Sequence, residues 1–125
     1  MTDDPIDVES LARSDLIASD RVEGTIVYNR KGEKLGRISN FMVDKQSGQV
    51  RYAILSFGGF LGIGNDHYPL PWSMLDYDKD QGGYVVELDK EVLDDAPRHD
   101  AEARPVYDEP YGRSVYDYYG LTYPW

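Results

Sequence analysis

An acidic segment near residue 80 has the spacing closest to a metal site in this sequence. Positions one, three, five and twelve of one window hold Asp76, Asp78, Asp80 and Glu87. Calcium loops of the EF-hand type use carboxylates at these positions, but they also need a glycine at position six for a sharp turn. Gln81 stands there, and Gly82 follows one residue late. We therefore interpret the segment as a solvated turn and predict no metal ligands.

A glycine-rich segment, residues 58–64, is the second candidate for chemistry. Glycine loops bind phosphate through backbone N–H groups where they follow a strand, open a helix and often place a lysine next. This segment has no such context and is typical of a hairpin tip. Its apolar side chains are Phe60, Leu61 and Ile63. Either the same chain or a second subunit must cover them, and both alternatives stay open.

The sequence contains few residues that could act in nucleophilic or acid/base catalysis. His67 and His99 are the only histidines, and no serine lies in a nucleophile-elbow motif. Cysteine is absent, which excludes disulfides, thiolate nucleophiles and metal sites built on cysteine. We therefore predict no catalytic residues, no cofactor and no enzymatic activity.

Length and charge limit the architecture and the partners. A chain of 125 residues with 41% hydrophobic residues can bury one core. No apolar run approaches the roughly 18 residues of a membrane span, and the acidic start is unlike a signal peptide, so we expect a cytoplasmic protein. The net charge of −10 disfavours binding to a phosphate backbone. Direct nucleic-acid binding is not expected, despite a local basic cluster in residues 30–51.

Short apolar runs separated by glycine-containing turns predict an all-β body. The predicted strands are residues 24–28, 35–44, 50–57, 66–72 and 83–89. The turns at residues 29–32 and 44–48 each end in a glycine, which tolerates the positive φ that tight hairpins need. These turns therefore predict antiparallel hairpins.

The run 50–57 is apolar on both faces. Tyr52 and Ile54 point to one side, and Leu55 and Phe57 point to the other. A strand with two apolar faces must lie in the middle of a protein or be covered by a partner. We therefore predict a central or covered strand.

In the run 35–44 the alternation of apolar and polar side chains is interrupted. Ile38 and Phe41 are separated by three positions, so in a regular strand they would face opposite sides. An extra residue at 39–40 would bring both to one face and bend the strand. The sequence therefore predicts a bulge of the kind that curves a barrel.

The two ends differ from the body, which we place at residues 21–97. Residues 1–20 are acidic and predict a flexible leader. Residues 90–96 predict a helical turn that Pro97 ends. Residues 98–125 are rich in tyrosine and proline, and disordered segments are normally poor in aromatic residues. We predict that this tail docks on the body or on a partner.

Taken in order, several motifs resemble those of PRC-barrel domains, the family named for the photosynthetic reaction centre H subunit. They are residues 22–28 with 32–38, Asp44 with Gly48, residues 52–55, residues 57–62, Pro71-Trp72 and Leu75. The resemblance covers about residues 20–97. It implies a small, strongly bent antiparallel β-barrel whose relatives serve in assembly and partner binding, the ribosome maturation factor RimM among them.

Three functions remain open from the sequence. The first is a non-catalytic interaction module that binds a protein partner and self-associates as a homodimer. Its predicted interaction residues are Tyr52, Phe57, Phe60, Leu61, Ile63, Tyr118, Tyr119 and Trp125. The second is an accessory factor for ribosome or RNA processing, and the third is a small-ligand site in the barrel mouth.

Overall fold

The computed structural model describes residues 16–57 and 66–125. Seven strands form one sheet: β1 (Ile26–Asn29), β2 (Lys34–Val43), β3 (Val50–Phe57), β4 (Asp66–Pro71), β5 (Leu75–Asp78), β6 (Gly83–Val86) and β7 (His99–Asp100). The helical elements of these described residues are α1 (Ser19–Val22), α2 (Glu109–Tyr118) and two 3-10 turns, Trp72–Met74 and Lys90–Asp95. The turn that was predicted to end at Pro97 is therefore present.

The strands run in the order β5-β6-β1-β2-β3-β4-β7 across the sheet. Strands β1 to β4 form an antiparallel meander, and the Trp72–Met74 turn then carries the chain to the far edge. There β5 and β6 form a hairpin, and β6 pairs with β1 in parallel. The expectation of a wholly antiparallel sheet was therefore wrong at this pair.

The expected closed barrel is also not what the described residues form, because β5 and β7 remain as two separate edges of the sheet. The sheet nevertheless curls around one core, since strands β1 to β6 all contribute side chains to it. That first core contains Val27, Leu35, Ile38, Ala53, Leu55, Tyr68, Leu70, Leu75, Tyr84, Val86 and Leu93. The fold is therefore mainly β, and six of its strands contribute to the same core.

The predicted bulge in β2 is confirmed. The register with β3 pairs Ile38 with Leu55 and Asn40 with Ile54, so Ser39 is the extra residue. As a result Ile38 and Phe41 both contact the first core. The bulge therefore gives the strand the bend that its interrupted pattern required.

The turn between β2 and β3 has the structure predicted for residues 44–48. The Asp44 carboxylate accepts hydrogen bonds from the backbone N–H groups of Gln46 (2.9 Å) and Ser47 (2.8 Å). These bonds, together with the nearby Arg51 guanidinium, hold the pKa of Asp44 below its usual value. Gly48 closes the turn with φ +76°, as an αL position favours.

Strand β3 separates two cores, which confirms that it is central and covered. Ala53 and Leu55 lie in the first core, and Tyr52 and Ile54 lie in a second core on the outer face of the sheet. Full burial of such a side chain stabilises the fold by roughly 1.5–3 kcal/mol. The outer face of β3 is therefore as much a part of the interior as the inner face.

Gly36 in β2 gives a test of how closely β2 and β3 approach. A Cβ at residue 36 would lie 2.3 Å from the backbone carbonyl oxygen of Ser56, and backbone cannot move aside cheaply. We expect Gly36→Ala to lower the free energy of unfolding by about 1–3 kcal/mol in urea titration. Lys34→Ala, at an exposed position of the same strand, is the control and should change it by less than about 0.5 kcal/mol. Equal stability of the two variants would contradict this contact.

Candidate interaction face

The outer face of β3 and β4 is apolar. Tyr52 and Ile54 of β3 pair in register with Pro71 and Pro69 of β4, and all four side chains are buried. Proline lacks a backbone N–H, and it is tolerated here because β7 pairs with β4 only at Asp66 and His67 within the described residues. The face therefore has apolar side chains and few backbone groups that need partners.

Helix α2 covers this face. Val115 and Tyr116 of the helix join Tyr52 and Ile54 to form the second core, and α2 lies against β4. The tail therefore docks on the body of its own chain, which the sequence left open.

The helix has clear start and stop signals. The Asp108 side chain accepts a hydrogen bond from the Tyr111 N–H (3.1 Å) at the N-terminus, and Pro110 lies in the first turn. Gly120 follows the helix with φ +71°, and the Leu121 N–H donates to the Tyr116 carbonyl at 2.9 Å. This ending is a Schellman-type cap, which turns Leu121 back onto the second core.

At Gly112 the helix approaches the sheet closely. A Cβ on this residue would lie 2.7 Å from the Tyr52 hydroxyl oxygen and 2.6 Å from the Tyr123 ring. The absence of a side chain therefore lets Tyr52 and Tyr123 meet the helix backbone. This is a steric reason for glycine in the middle of a helix, where its propensity is poor.

Tyrosine rings fill the remaining space in an edge-to-face arrangement. Tyr52 contacts Tyr107 and Tyr116 with ring centroids 5.3 and 5.9 Å apart, and Tyr116 contacts Tyr123 at 5.4 Å. Burial raises the pKa of Tyr52 and of Tyr107 far above the ordinary phenol value. Their phenols therefore stay neutral, and the rings act as packing groups.

Two further tail residues of the predicted set contact the body. Tyr119 lies against both cores, and the Tyr118 hydroxyl donates a hydrogen bond to the Val92 carbonyl. Both residues therefore fasten the end of α2 to the 3-10 turn and the sheet.

The remaining predicted residues fall in three places. Phe57 packs on the first core, with its ring 5.9 Å from that of Tyr68. The Trp125 ring lies 4.1 Å from the Arg51 guanidinium carbon, a cation–π contact. The glycine-rich segment 58–64 lies outside the described residues, as do its apolar members Phe60, Leu61 and Ile63.

A histidine pair joins the edge of the sheet to the tail. His99 of β7 lies beside His67 of β4, with ring centroids 6.1 Å apart. The Tyr107 hydroxyl donates to Nε2 of His99 (2.8 Å), while Nδ1–H of His99 donates to the Asp100 carbonyl (2.9 Å). This set of bonds places the proton of a neutral His99 on Nδ1. Sequence reasoning missed this junction, because β7 has only two residues.

His67 is the buried member of that pair. Its side chain is 7% exposed, and its Nδ1 has no hydrogen-bond partner among the described residues. Burial first and the neighbouring His99 second lower the pKa of His67, and Arg104 acts in the same direction against Asp100 and Asp66. Burial therefore favours the neutral form of this imidazole.

The acidic segment near residue 80 behaves as a turn. The Asp78 carboxylate accepts from the Asp80 N–H (2.9 Å) and from the Gln81 side chain (2.8 Å), and Asp76 pairs with Arg30 at 3.2 Å. Residues 75–78 of this segment form β5, which the sequence interpretation missed. No group of three metal-binding side chains occurs in residues 16–57 and 66–125.

One open cavity of about 460 Å³ lies beside the β1–β2 hairpin. Its lining includes Arg30, Lys31, Glu87 and Asp89, and Lys31 pairs with Asp89 at 3.4 Å. Ligand pockets are mostly apolar and enclosed, with a few polar groups that converge. This one is an open groove in which the apolar side chains of Leu88 and Val92 lie beside the charged ones. It does not include the covered face of β3.

The sequence did contain a signal for α2 that the prediction missed. Asp108 followed by Pro110 is an N-terminal signature. The buried positions 112, 115 and 116, with Tyr119 next, have the i, i+3, i+4, i+7 spacing of one helix face. Proline, glycine and tyrosine throughout the tail obscured this pattern, because all three are weak helix formers.

Comparison with known proteins identifies the family. The model of the PRC-barrel domain matches residues 14–93, which is more than half of the chain, and the protein therefore belongs to that family. The search of curated proteins found no match.

No helix in residues 16–57 or 66–125 combines the length and hydropathy that a membrane span requires.

One solved structure similar to this chain is that of a protein described as the 16S ribosomal RNA processing protein RimM from Pseudomonas aeruginosa. The sequence identity is 18% and the TM-score is 0.43. The match covers 63% of this chain and 49% of that chain. This chain therefore spans about half the length of that protein.

Gly112→Ala tests the close approach of α2. Helix propensity alone would favour alanine by about 1 kcal/mol, but the new Cβ would overlap the Tyr52 hydroxyl and the Tyr123 ring. We expect a net loss of about 1–2 kcal/mol of unfolding free energy, measured by urea titration with tyrosine fluorescence. Asp117→Ala, on the exposed side of the helix, should have little effect. A stabilised Gly112→Ala variant would show that the helix does not dock in this way.

His67 predicts a dependence of stability on pH. Its native pKa lies below the unfolded value of about 6.5, so the unfolded chain binds the proton more tightly. The contribution of His67 is therefore complete above about pH 6.5 and is lost as the pH falls through that value towards the native pKa, by at most about 1.4 kcal/mol per pH unit.

We expect wild type to lose stability between pH 7 and pH 5 more steeply than a His67→Gln variant. Urea unfolding at half-unit pH steps measures the difference, and the other titrating groups cancel between the two proteins. Parallel pH profiles would be the contrary result.

Proposed function

We propose that this protein is a non-catalytic protein-interaction module that binds through the outer face of β3 and β4. One observation supports this proposal above the others. The PRC-barrel match ends at residue 93, whereas the helix that covers this face begins at Glu109. The family domain therefore presents an apolar face that a segment from outside the domain must cover.

The face selects for a defined kind of ligand. Its occupant is a helix that presents a small residue, Gly112, at the closest approach and apolar residues at i+3, i+4 and i+7. This is the spacing of anchors in helix-in-groove recognition. Aromatic rings enlarge the contact area, since tyrosine buries a large rigid group while it keeps one polar atom. A second helix of the same pattern would satisfy the same contacts.

The natural source of such a helix is a second copy of this chain. The contacts between α2 and the β3 face are identical whether the helix belongs to the same copy or to its neighbour. Five of the eight residues in the connection between β7 and α2, residues 101–108, are exposed. Opening of this connection breaks the contacts of Tyr107 with Tyr52 and His99, and the exchanged dimer would have to form them again. The helix of the same chain competes with the helix of a second copy for this face, and its tether gives it an effective concentration in the millimolar range. The exchange of α2 would thus produce a homodimer that accumulates at high protein concentration.

The histidines fit a structural role in this proposal. His67 is buried beneath the tail and His99 is hydrogen-bonded to Tyr107, so both serve the docking of the tail. The other two functions considered from the sequence, a ribosome-associated factor and a small-ligand site in a barrel mouth, remain predictions.

A complementation experiment tests self-association through α2. Ile54→Asp disables the face and leaves the helix intact, whereas Val115→Asp disables the helix and leaves the face intact. Each variant alone can form no intact pair of face and helix. A mixture can form one pair, but only between two copies, because burial of an unpaired carboxylate is costly. We expect light scattering to show a dimer in the mixture and monomers in the separate samples.

Two controls complete this design. Wild type should show a mass that rises towards twice 14.2 kDa with concentration, and a variant with both substitutions in one chain should not rescue either partner. If wild type and the mixture both remain monomeric at millimolar concentration, self-association through α2 is wrong.

A further inference from the structure

The second interaction surface is the free edge of β5, which lies far from the β3 face in the strand order. Strand β5 is the last strand of the sheet on its side, and within the described ranges β6 is its one strand neighbour. In an antiparallel pair every second residue directs its N–H and C=O away from the partner strand. The outer side of β5 therefore offers the backbone groups of two of its four residues to a further strand. Two groups of β5 are already paired, since the Leu75 N–H donates to the Trp72 carbonyl and the Asp78 carbonyl accepts from the Gly82 N–H.

The two faces of β5 differ in chemistry. Leu75 belongs to the first core, and Tyr77 lies on the same face with its ring 5.2 Å from Tyr84. Tyr77 is nevertheless 49% exposed, so the ring has apolar surface that the protein leaves uncovered. Asp76 and Asp78 point to the opposite face. An added strand would thus meet an apolar side and an anionic side.

The surrounding charge reinforces this asymmetry. Residues 75–89 contain five acids and one base. Among residues 16–57 and 66–125, Arg30 and Lys31 of the neighbouring hairpin form ion pairs with this segment, to Asp76 and Asp89. The side chains of the Arg30–Asp76 pair are 56% and 72% exposed, and such pairs contribute little to stability. A cation from a partner could therefore replace Arg30 at small cost.

We infer that β5 is a strand-addition site for an extended segment of a partner protein in which cationic and apolar side chains alternate. Cationic residues at every second position would face Asp76 and Asp78, and apolar residues between them would cover Leu75 and Tyr77. Backbone hydrogen bonds would supply the affinity, and the alternation would supply the specificity.

Charge disfavours the occupants that this chain could provide itself. Pairing of β5 with β5 of a second copy would bring four carboxylates into one short ladder, and like charges across a ladder are destabilising. Residues 1–15 carry five acids and one base and would be repelled in the same way. Nucleic acid is repelled for the same reason. A basic segment of another protein remains the complementary partner.

Peptide binding to the full-length protein tests this site. The probe is a fluorescein-labelled octapeptide of alternating lysine and valine, read by anisotropy at low ionic strength. One control peptide has glutamate in place of lysine, which reverses the charge. The other has proline in place of valine, which keeps the charge but fixes φ at about −65° in every second residue, so that the peptide cannot form a regular extended strand. We expect both controls to bind at least about tenfold more weakly, since each loses two or more hydrogen bonds or ion pairs.

Two variants should change the affinity for the lysine–valine peptide in opposite directions. Asp76→Asn should weaken binding of the lysine–valine peptide about two- to fivefold, and Arg30→Ala should strengthen it by a similar factor because it frees Asp76. Hydrogen exchange should show new protection at the amides of residues 75–78. The inference is overturned if the proline peptide binds as tightly as the lysine–valine peptide, if protection appears elsewhere, or if no peptide binds.

Discussion

Burial of β3 on both faces is the constraint on which the rest of this structure depends. An isolated sheet of this size could leave one face to water, but Tyr52 and Ile54 make the outer face of β3 as apolar as the inner one. Two cores therefore share one strand. The first is closed by the curl of the sheet, which the bulge at Ser39 helps to produce. The second needs an additional element, and the chain supplies α2.

The need to cover that face explains several features that would otherwise look unrelated. Pro69 and Pro71 occur in β4 because its outer edge has no strand to pair with beyond His67 in the described residues. Gly112 occurs within a helix because the backbone must pass close to the Tyr52 hydroxyl. His99 and Tyr107 connect the last strand to the helix through one hydrogen bond. Together these features let the tyrosine-rich tail pack closely on the outer face of β3.

The two surfaces that result have different physical characters. The face of β3 is apolar and occupied, so access to it requires displacement or exchange of α2. The edge of β5 is anionic and exposes backbone groups, so access to it requires only a strand of the right charge.

Features that rest on local patterns could be predicted from the amino-acid sequence alone. Side-chain alternation gave the bounds of β3 and the bulge in β2, and turn chemistry placed Asp44 and Gly48, because these depend on residues a few positions apart. The motifs gave the family. The folded chain was needed to find the parallel pairing of β1 with β6, the two-residue strand β7 and the packing of α2 on its own sheet. These arise from contacts between residues far apart in the chain, which leave little or no local periodicity. The signal for α2 was present but weak, since tertiary burial, and not intrinsic propensity, stabilises that helix.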